Sequence, residues 1–234
     1  IRIDMAKNKG LDKGDERLES VEEALSRSEQ FIINNQKTLI GVVTVVVVIV
    51  LGYFGVNKYY LQPKEKEAQT QMFMAESYFE SDSLNKALYG DGNNLGFMDI
   101  IDEFSSTDAG NLARYYAGVS LLRQGEYEEA AKQLKKFSAG DQIISAMAMG
   151  ALGDVYLEMG KQQEAASQYE KAARYKMNEL TSPMYLLKAG QTYELMGDNN
   201  KALKIFKEIS EKYPSTTEGR LMEKYIAKIE AAAK

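Results

Sequence analysis

Cysteine, histidine and tryptophan are absent from this chain of 234 residues, and proline occurs only 3 times. Without thiols or imidazoles there can be no disulfide, no thiolate or imidazole base, and no His/Cys metal site. Zinc hydrolases, Ser-His-Asp and Cys-His nucleophiles, His-held haem and redox dithiols fall away together, leaving an enzyme only carboxylate, lysine or hydroxyl chemistry. No enzyme is therefore expected: no catalytic residue, metal ligand, cofactor or small-molecule substrate. Positive charge is not in surplus either, since 29 Lys+Arg face 34 Asp+Glu for a net charge of −5. A phosphate-binding domain is ordinarily basic, so nucleic acid is not an expected partner. Scarce proline beside abundant Ala, Glu, Lys, Leu and Tyr points to an all-α chain.

One long apolar run is present. From Thr38 to Asn57 there are 20 consecutive uncharged residues between Lys37 and Lys58, and a rise of about 1.5 Å per residue carries them across roughly 30 Å of hydrocarbon. Eight valines, two leucines, two isoleucines and Phe54 fill it, worth roughly −4 to −8 kcal/mol on an insertion scale before the Gly, Thr and Tyr costs. A buried strand over Val45 to Val50 would be bounded by turn signals and would not run to spanning length. A cleaved signal peptide would have a shorter apolar core, a positive lead and small residues at its exit. Here the lead carries seven basic and eight acidic residues, and the exit reads Gly55-Val56-Asn57-Lys58-Tyr59-Tyr60. The anchor, 38–57, is expected to be retained, with Tyr53, Phe54, Tyr59 and Tyr60 at interfacial positions and lipid as its surroundings. Arg27 and Lys37 on one side against Lys58, Lys64 and Lys66 on the other leave the orientation open by charge.

Residues 1–37 form an arm. Leu18, Val21, Leu25, Ser28 and Ile32 keep a helical rhythm, and Ser20 with Glu23 is spaced as a capping box. The arm is expected to be a short amphipathic helix, either docking on a partner or membrane surface or simply solvated. Ile1-Arg2-Ile3-Asp4 ahead of Met5 reads as extra sequence before a natural start.

The remainder, 58–234, repeats itself. Gly118, Gly125 and Ala130 recur as Gly153, Gly160, Ala165 and as Gly190, Gly197, Ala202, a G-x6-G-x4-A spacing at intervals of 35 and 37 residues. Each unit reads as two antiparallel helices, A and B. The first Gly lets them approach, the second ends helix A in a left-handed cap, and the Ala is the small contact on helix B. Tyr156 and Tyr193 follow the first glycine by three, Tyr127 follows the second by two, and Leu134, Tyr169 and Phe206 follow the alanine by four; Phe137, Ala172 and Ile209 come next, and Pro214 closes the third unit. The segments RQGEYEEA, EMGKQQEA and LMGDNNKA resemble the tetratricopeptide repeat, over about Asn111 to Thr216. Units are expected at 111–144, 146–179 and 183–216.

A degenerate first unit, 64–106, shows the same spacing at Ala75, Asp82 and Ala87, with Asp82 in the left-handed cap position. Tyr89 to Gly96 interrupts it before Phe97, Ile101 and Phe104 resume the helix B face. Within that insertion Asp91, Asn93, Gly96, Asp99 and Asp102 match EF-hand positions 1, 3, 6, 9 and 12. Leu95 at position 5 and a short Asp at position 12 argue for a plain turn, so no metal site is expected. Leu221, Tyr225, Ile226 and Ile229 form one stripe suited to a capping helix over 217–233, which a solenoid needs. The fold expected is thus all-α: one N-terminal transmembrane helix, then a tetratricopeptide repeat solenoid of three to four hairpins and a C-terminal cap.

The order of parts resembles the YfgM-like ancillary subunits of the SecYEG translocon. The likeness rests on Val21-Glu22-Glu23-Ala24 to Phe31, on Asn35-Gln36-Lys37-Thr38-Leu39 and on Gly52-Tyr53, while Tyr89 to Phe97 is similar to the Bacteroidetes version. The resemblance implies a single-pass inner-membrane protein with a cytoplasmic N-terminus and a periplasmic repeat domain. It further implies the SecYEG translocon and a PpiD-like periplasmic chaperone as partners.

In the repeat frame, a groove on the helix A faces would be lined by Tyr115, Val119, Leu122 and Arg123, then Asp154, Leu157 and Glu158, then Leu187, Gln191, Glu194 and Leu195. Tyr115 and Arg123 are the expected anchors, with Asp154 and Glu158 steering a basic partner. The Lys/Asn carboxylate clamp of chaperone-tail-binding domains is missing, since Tyr115, Val119, Gly150 and Asp154 hold those positions. The competing expectation, a self-assembling structural protein of the cell envelope, is weakened by a span with no small-xxx-small pair.

Overall fold

The computed structural model describes residues 29–232, and these divide at Tyr60 and Leu61 into two units. The arm's rhythm from Leu18 to Ser28, its Ser20–Glu23 capping box and the start at Met5 lie outside the described residues. In the first unit α1 (Gln36–Val56) is apolar on every side, and none of its residues is buried. Val48, Ile49 and Leu51 are each more than 60% exposed, an arrangement that water would not favour. Thr44 keeps its hydroxyl satisfied by donating to the Ile40 carbonyl one turn back, at 2.8 Å. A π-helical turn, Asn57–Leu61, follows.

The second unit is helical throughout, with α2 (Gln62–Glu80), α3 (Leu84–Tyr89), α4 (Phe97–Glu103), α5 (Asp108–Gln124), α6 (Tyr127–Lys136), α7 (Gln142–Glu158), α8 (Gln162–Arg174), α9 (Thr181–Leu195), α10 (Asn199–Lys212) and α11 (Thr217–Ala232). Helices α6, α8 and α10 each pack against the A helix before them, while the A helices pack in series: α2 on α5, α5 on α7, α7 on α9, α9 on α11. That is a solenoid of hairpins ending in a cap.

The glycine-alanine spacing explains the hairpin contacts. A Cβ at Gly118 would meet Leu134 Cγ at 2.5 Å, one at Gly153 would meet Tyr169 Cδ1 at 2.6 Å, and one at Gly190 would strike the Phe206 ring. The partner in each case is the large side chain four residues after the alanine, and the alanines themselves, Ala130, Ala165 and Ala202, are fully buried. Small-to-large complementarity repeated at the same place therefore fixes the A–B distance in every unit.

Helix A ends equally uniformly. Gly125, Gly160 and Gly197 take φ of 83°, 73° and 78°. In each case the following residue donates to a carbonyl five back: Glu126 to Leu121, Lys161 to Tyr156, Asp198 to Tyr193. At the end of α2, Asp82 adopts φ 56° and Ser83 donates to Tyr78 in the same way. Nothing lies within 4 Å of a Cβ built on Gly160. The expected cost of Gly160→Ala is therefore conformational alone, about 1 kcal/mol, read as a lowered urea midpoint. An unchanged midpoint would show that this cap carries no strain.

The insertion is stapled by a carboxylate. Asp91 accepts from the backbone N–H groups of Asn93 and Asn94 at 2.9 and 2.8 Å and from the Tyr78 hydroxyl at 2.7 Å. The Tyr78 bond first, then those two N–H groups, hold its carboxyl far below the usual carboxylate range. The group is engaged within the turn itself. Phe97, resuming the B face, stacks on Tyr116 with centroids 5.2 Å apart, and Phe79 meets Tyr116 edge-on at 5.2 Å. Here α2, α4 and α5 are joined by rings rather than by the glycine contact.

Candidate functional site

On helix A, residues six and three before the first glycine and one, four and five after it fall within about 100° of one another. They form one face in every unit. Six before stand Leu112, Met147 and Met184; three before, Tyr115, Gly150 and Leu187, with Leu221 at the matching place in the cap. The later rows hold Val119, Asp154, Gln191 and Tyr225, then Leu122, Leu157, Glu194 and Lys228, then Arg123, Glu158 and Leu195. Met147, Leu195 and Leu221 are exposed at 38%, 64% and 44%, so the face is open and apolar along one side.

The expected groove residues share this face but do not all stand free on it. Tyr115 is half-buried, its ring 5.9 Å from Phe137 and 5.4 Å from Tyr116, and burial raises its hydroxyl pKa. The Arg123 guanidinium lies 4.6 Å above the Phe79 ring, with Nη1 3.7 Å from Asp82 Oδ1. Its cation thus joins the ends of α2 and α5, a separate contact from the one Tyr115 makes. Asp154 accepts from Lys188 Nζ at 2.7 and 2.9 Å and from the Tyr169 hydroxyl at 2.6 Å. Burial first, and then this bond, push the Tyr169 phenol far above its ordinary range. The carboxylate expected to steer a basic partner is neutralised by its neighbour. Glu158 is exposed and accepts a long bond from Tyr127 at 3.4 Å. Gln191 donates to the Tyr225 hydroxyl at 3.0 Å, and Glu194 pairs with Lys228. Val119, Leu122, Leu157 and Leu187 are half-buried.

A period explains these pairings. Asp154 with Lys188, Gln191 with Tyr225 and Glu194 with Lys228 are each 34 residues apart, as are Arg174 and Glu208 on the B side. Gln191 and Glu194 meet the residues at their own places in the next A helix, whereas the longer interval before the third unit sets Lys188, three residues short of the equivalent place, against Asp154; in each case a polar residue in one unit finds its partner one unit on. Sequence reasoning stopped at single positions and missed this ladder, although the spacing was present to be counted. It also missed Leu112, Met147 and Met184, which the same glycine frame places six residues upstream. Gly150 was read only as a position where the carboxylate clamp is missing. Its site is filled by Tyr185 of the next A helix, whose ring stands where a Cβ would go. Burial first, then the charge of Asp154, raises the Tyr185 phenol far above its ordinary range.

At the α2–α5 end of the face a cavity of about 330 Å³ is lined by Glu65, Gln69, Met72, Glu76, Asp108, Ala109 and Leu112. Glu65 closes one wall, its Oε2 accepting from the Asp108 backbone N–H at 2.7 Å and so capping α5. The Glu76 carboxyl is raised, by burial first and then by the like charge of Glu80, while the Tyr116 hydroxyl pulls the other way. Two larger hollows, of about 600 and about 460 Å³, lie along the B-side seams around Gln168 and Tyr175. In the larger one Arg174 and Glu170 are already paired, Arg174 with Glu170 at 3.6 Å and with Glu208 at 3.1 Å.

The tetratricopeptide repeat family model matches residues 112–139 and 185–216. Among curated proteins the chain is similar to the TPR repeat-containing protein MJ1428 of Methanocaldococcus jannaschii, 37% identical over 101 residues. The match covers 43% of this chain and 17% of that protein, so the chain spans less than a fifth of the relative's length. The repeated glycine contacts, the left-handed caps and the two matched segments agree: the described residues hold a tetratricopeptide-repeat array, together with one helix long and apolar enough to cross a membrane.

Proposed function

We propose that this chain is a single-pass membrane scaffold that serves as an accessory subunit of the SecYEG translocon and links it to a PpiD-like chaperone. In this reading α1 is the span, the arm 1–37 is cytoplasmic, and the repeat domain 58–234 works in the periplasm. Its units are 64–106, 111–144, 146–179 and 183–216 under a cap at 217–233. The observation that carries it is the combination of one valine-rich helix without a buried residue and a repeat array whose A-helix face is open and apolar. The likeness of the arm, the span and the insertion to the YfgM-like subunits supplies the translocon. Partner contacts fall on Tyr115, Val119, Leu122, Leu157, Glu158, Leu187, Gln191 and Leu195, with Arg123, Asp154 and Glu194 shaping the face through their own pairs.

Two measurements test the proposal. Protease added to intact spheroplasts is expected to remove the repeat domain and spare the arm; a protected repeat domain reverses the topology. Co-purification from native membranes in mild detergent is expected to bring down translocon and periplasmic chaperone subunits at stoichiometric levels. Recovery of the chain alone as a concentration-dependent assembly would instead favour a self-assembling envelope protein.

A further inference from the structure

The charges of the A-helix face are unevenly settled. Toward the cap its cations and carboxylates are matched internally, Lys188 with Asp154 and Lys228 with Glu194. Toward α2 the balance changes. The groups that act on Glu76 are its own burial, the charge of Glu80 and the Tyr116 hydroxyl, and no cation is among them. Glu76 lines a cavity of about 330 Å³ that also has a carboxylate wall in Glu65 and Asp108 and an apolar floor in Met72 and Leu112. A half-buried carboxylate beside a like charge is stabilised most by a cation brought from outside, and a cavity of that size accommodates a lysine or arginine head with its methylene stem on the apolar floor. Beyond the cavity the face continues as the row Leu112, Met147, Met184, where unbranched thioether side chains can fit varied apolar shapes.

Resting on the scaffold reading above, we infer that the partner segment is apolar with a basic end: its lysine or arginine enters the α2–α5 cavity at Glu76, and its apolar residues lie along Leu112, Met147 and Met184. Charge complementarity favours this register, because Glu76 is half-buried beside the like charge of Glu80, whereas Asp154 and Glu194 toward the cap each already hold a lysine. An acidic tail is rejected by the same carboxylates.

The test uses the full chain in nanodiscs of phosphatidylcholine, with Met147 replaced by photoreactive benzoylphenylalanine so that lipid-bound peptide is not counted. Three fluorescent synthetic peptides are offered: two lysines followed by a leucine–alanine stretch, the same stretch led by two glutamates, and the lysine peptide with serines for leucines. The lysine–leucine peptide is expected to crosslink at least about tenfold more efficiently than either of the others. Glu76→Gln with Glu80→Gln should remove that preference, and Glu76→Lys should transfer it to the glutamate-led peptide, an exchange that a merely misfolded variant cannot produce. Equal crosslinking of the lysine and glutamate peptides overturns the basic-end inference and leaves the groove reading standing. Crosslinking between two copies of the chain in place of peptide overturns it as well, in favour of self-association. Failure of all three peptides, together with no crosslinked protein at position 147 in living cells, removes the groove reading itself.

Discussion

Gly153→Leu is expected to destabilise the repeat array by about 3 kcal/mol or more, at the upper end of what overpacking a close-packed core costs. A Cβ at this position already stands 2.6 Å from Cδ1 and Cε1 of Tyr169, before any branch of the leucine is added. The ring has little room to give way. It is 1% exposed, and its hydroxyl is held at 2.6 Å by Asp154, which Lys188 holds in turn. Moving the ring therefore breaks a partly buried hydrogen bond as well as the hairpin contact, and the two losses add. Urea unfolding of the full chain in detergent, followed by circular dichroism, measures the effect. Gly118→Ala is the useful comparison. It adds one methyl rather than a branched side chain, and its neighbour Leu134 carries no hydrogen bond to break, so the loss there should be smaller. Equal, negligible losses at both sites would sink the repeat contact as the source of A–B spacing.

How far the sequence carried this reading differs between fold and site. The glycines and alanines were legible because each does one geometric thing at a fixed place. A position that must be small and a position that must take φ near 80° are both written in residue type. Asp82 was legible for the same reason, as a short polar residue that tolerates the left-handed region. The site was less so, because side-chain availability depends on neighbours that periodicity does not show. Arg123 and Asp154 have the chemistry of binding anchors, yet one lies on Phe79 and the other is held by Lys188 and Tyr169. Asp154 and Glu194 each meet a lysine 34 residues on in the neighbouring A helix, so a first question for a carboxylate on this face is whether that position supplies a counter-charge. Asking it would have turned attention from Asp154 to Glu76. Gly150 was hardest to read, since a glycine there serves Tyr185 of the following unit rather than any turn.

The largest effect is expected in the first unit. Val46→Arg with Val48→Arg places two guanidinium groups near the middle of α1, where an arginine costs about 2.5–3.5 kcal/mol on an insertion scale. Together they cost about 5–7 kcal/mol, comparable with the whole of the roughly −4 to −8 kcal/mol that the apolar run supplies. The doubly substituted chain should leave the membrane pellet on alkaline carbonate extraction, while Val46→Leu leaves it in place. Depth provides the sharper check. Arginine at position 38 sits at the end of the run, where its long side chain can reach the headgroups, so Thr38→Arg should be nearly silent. A soluble core helix gives no such gradient, because its penalties follow burial by neighbours, and no residue of α1 is buried by any. If Thr38→Arg and Val46→Arg release the chain equally, the bilayer is not what α1 is built for; if neither does, the anchor lies elsewhere in the chain.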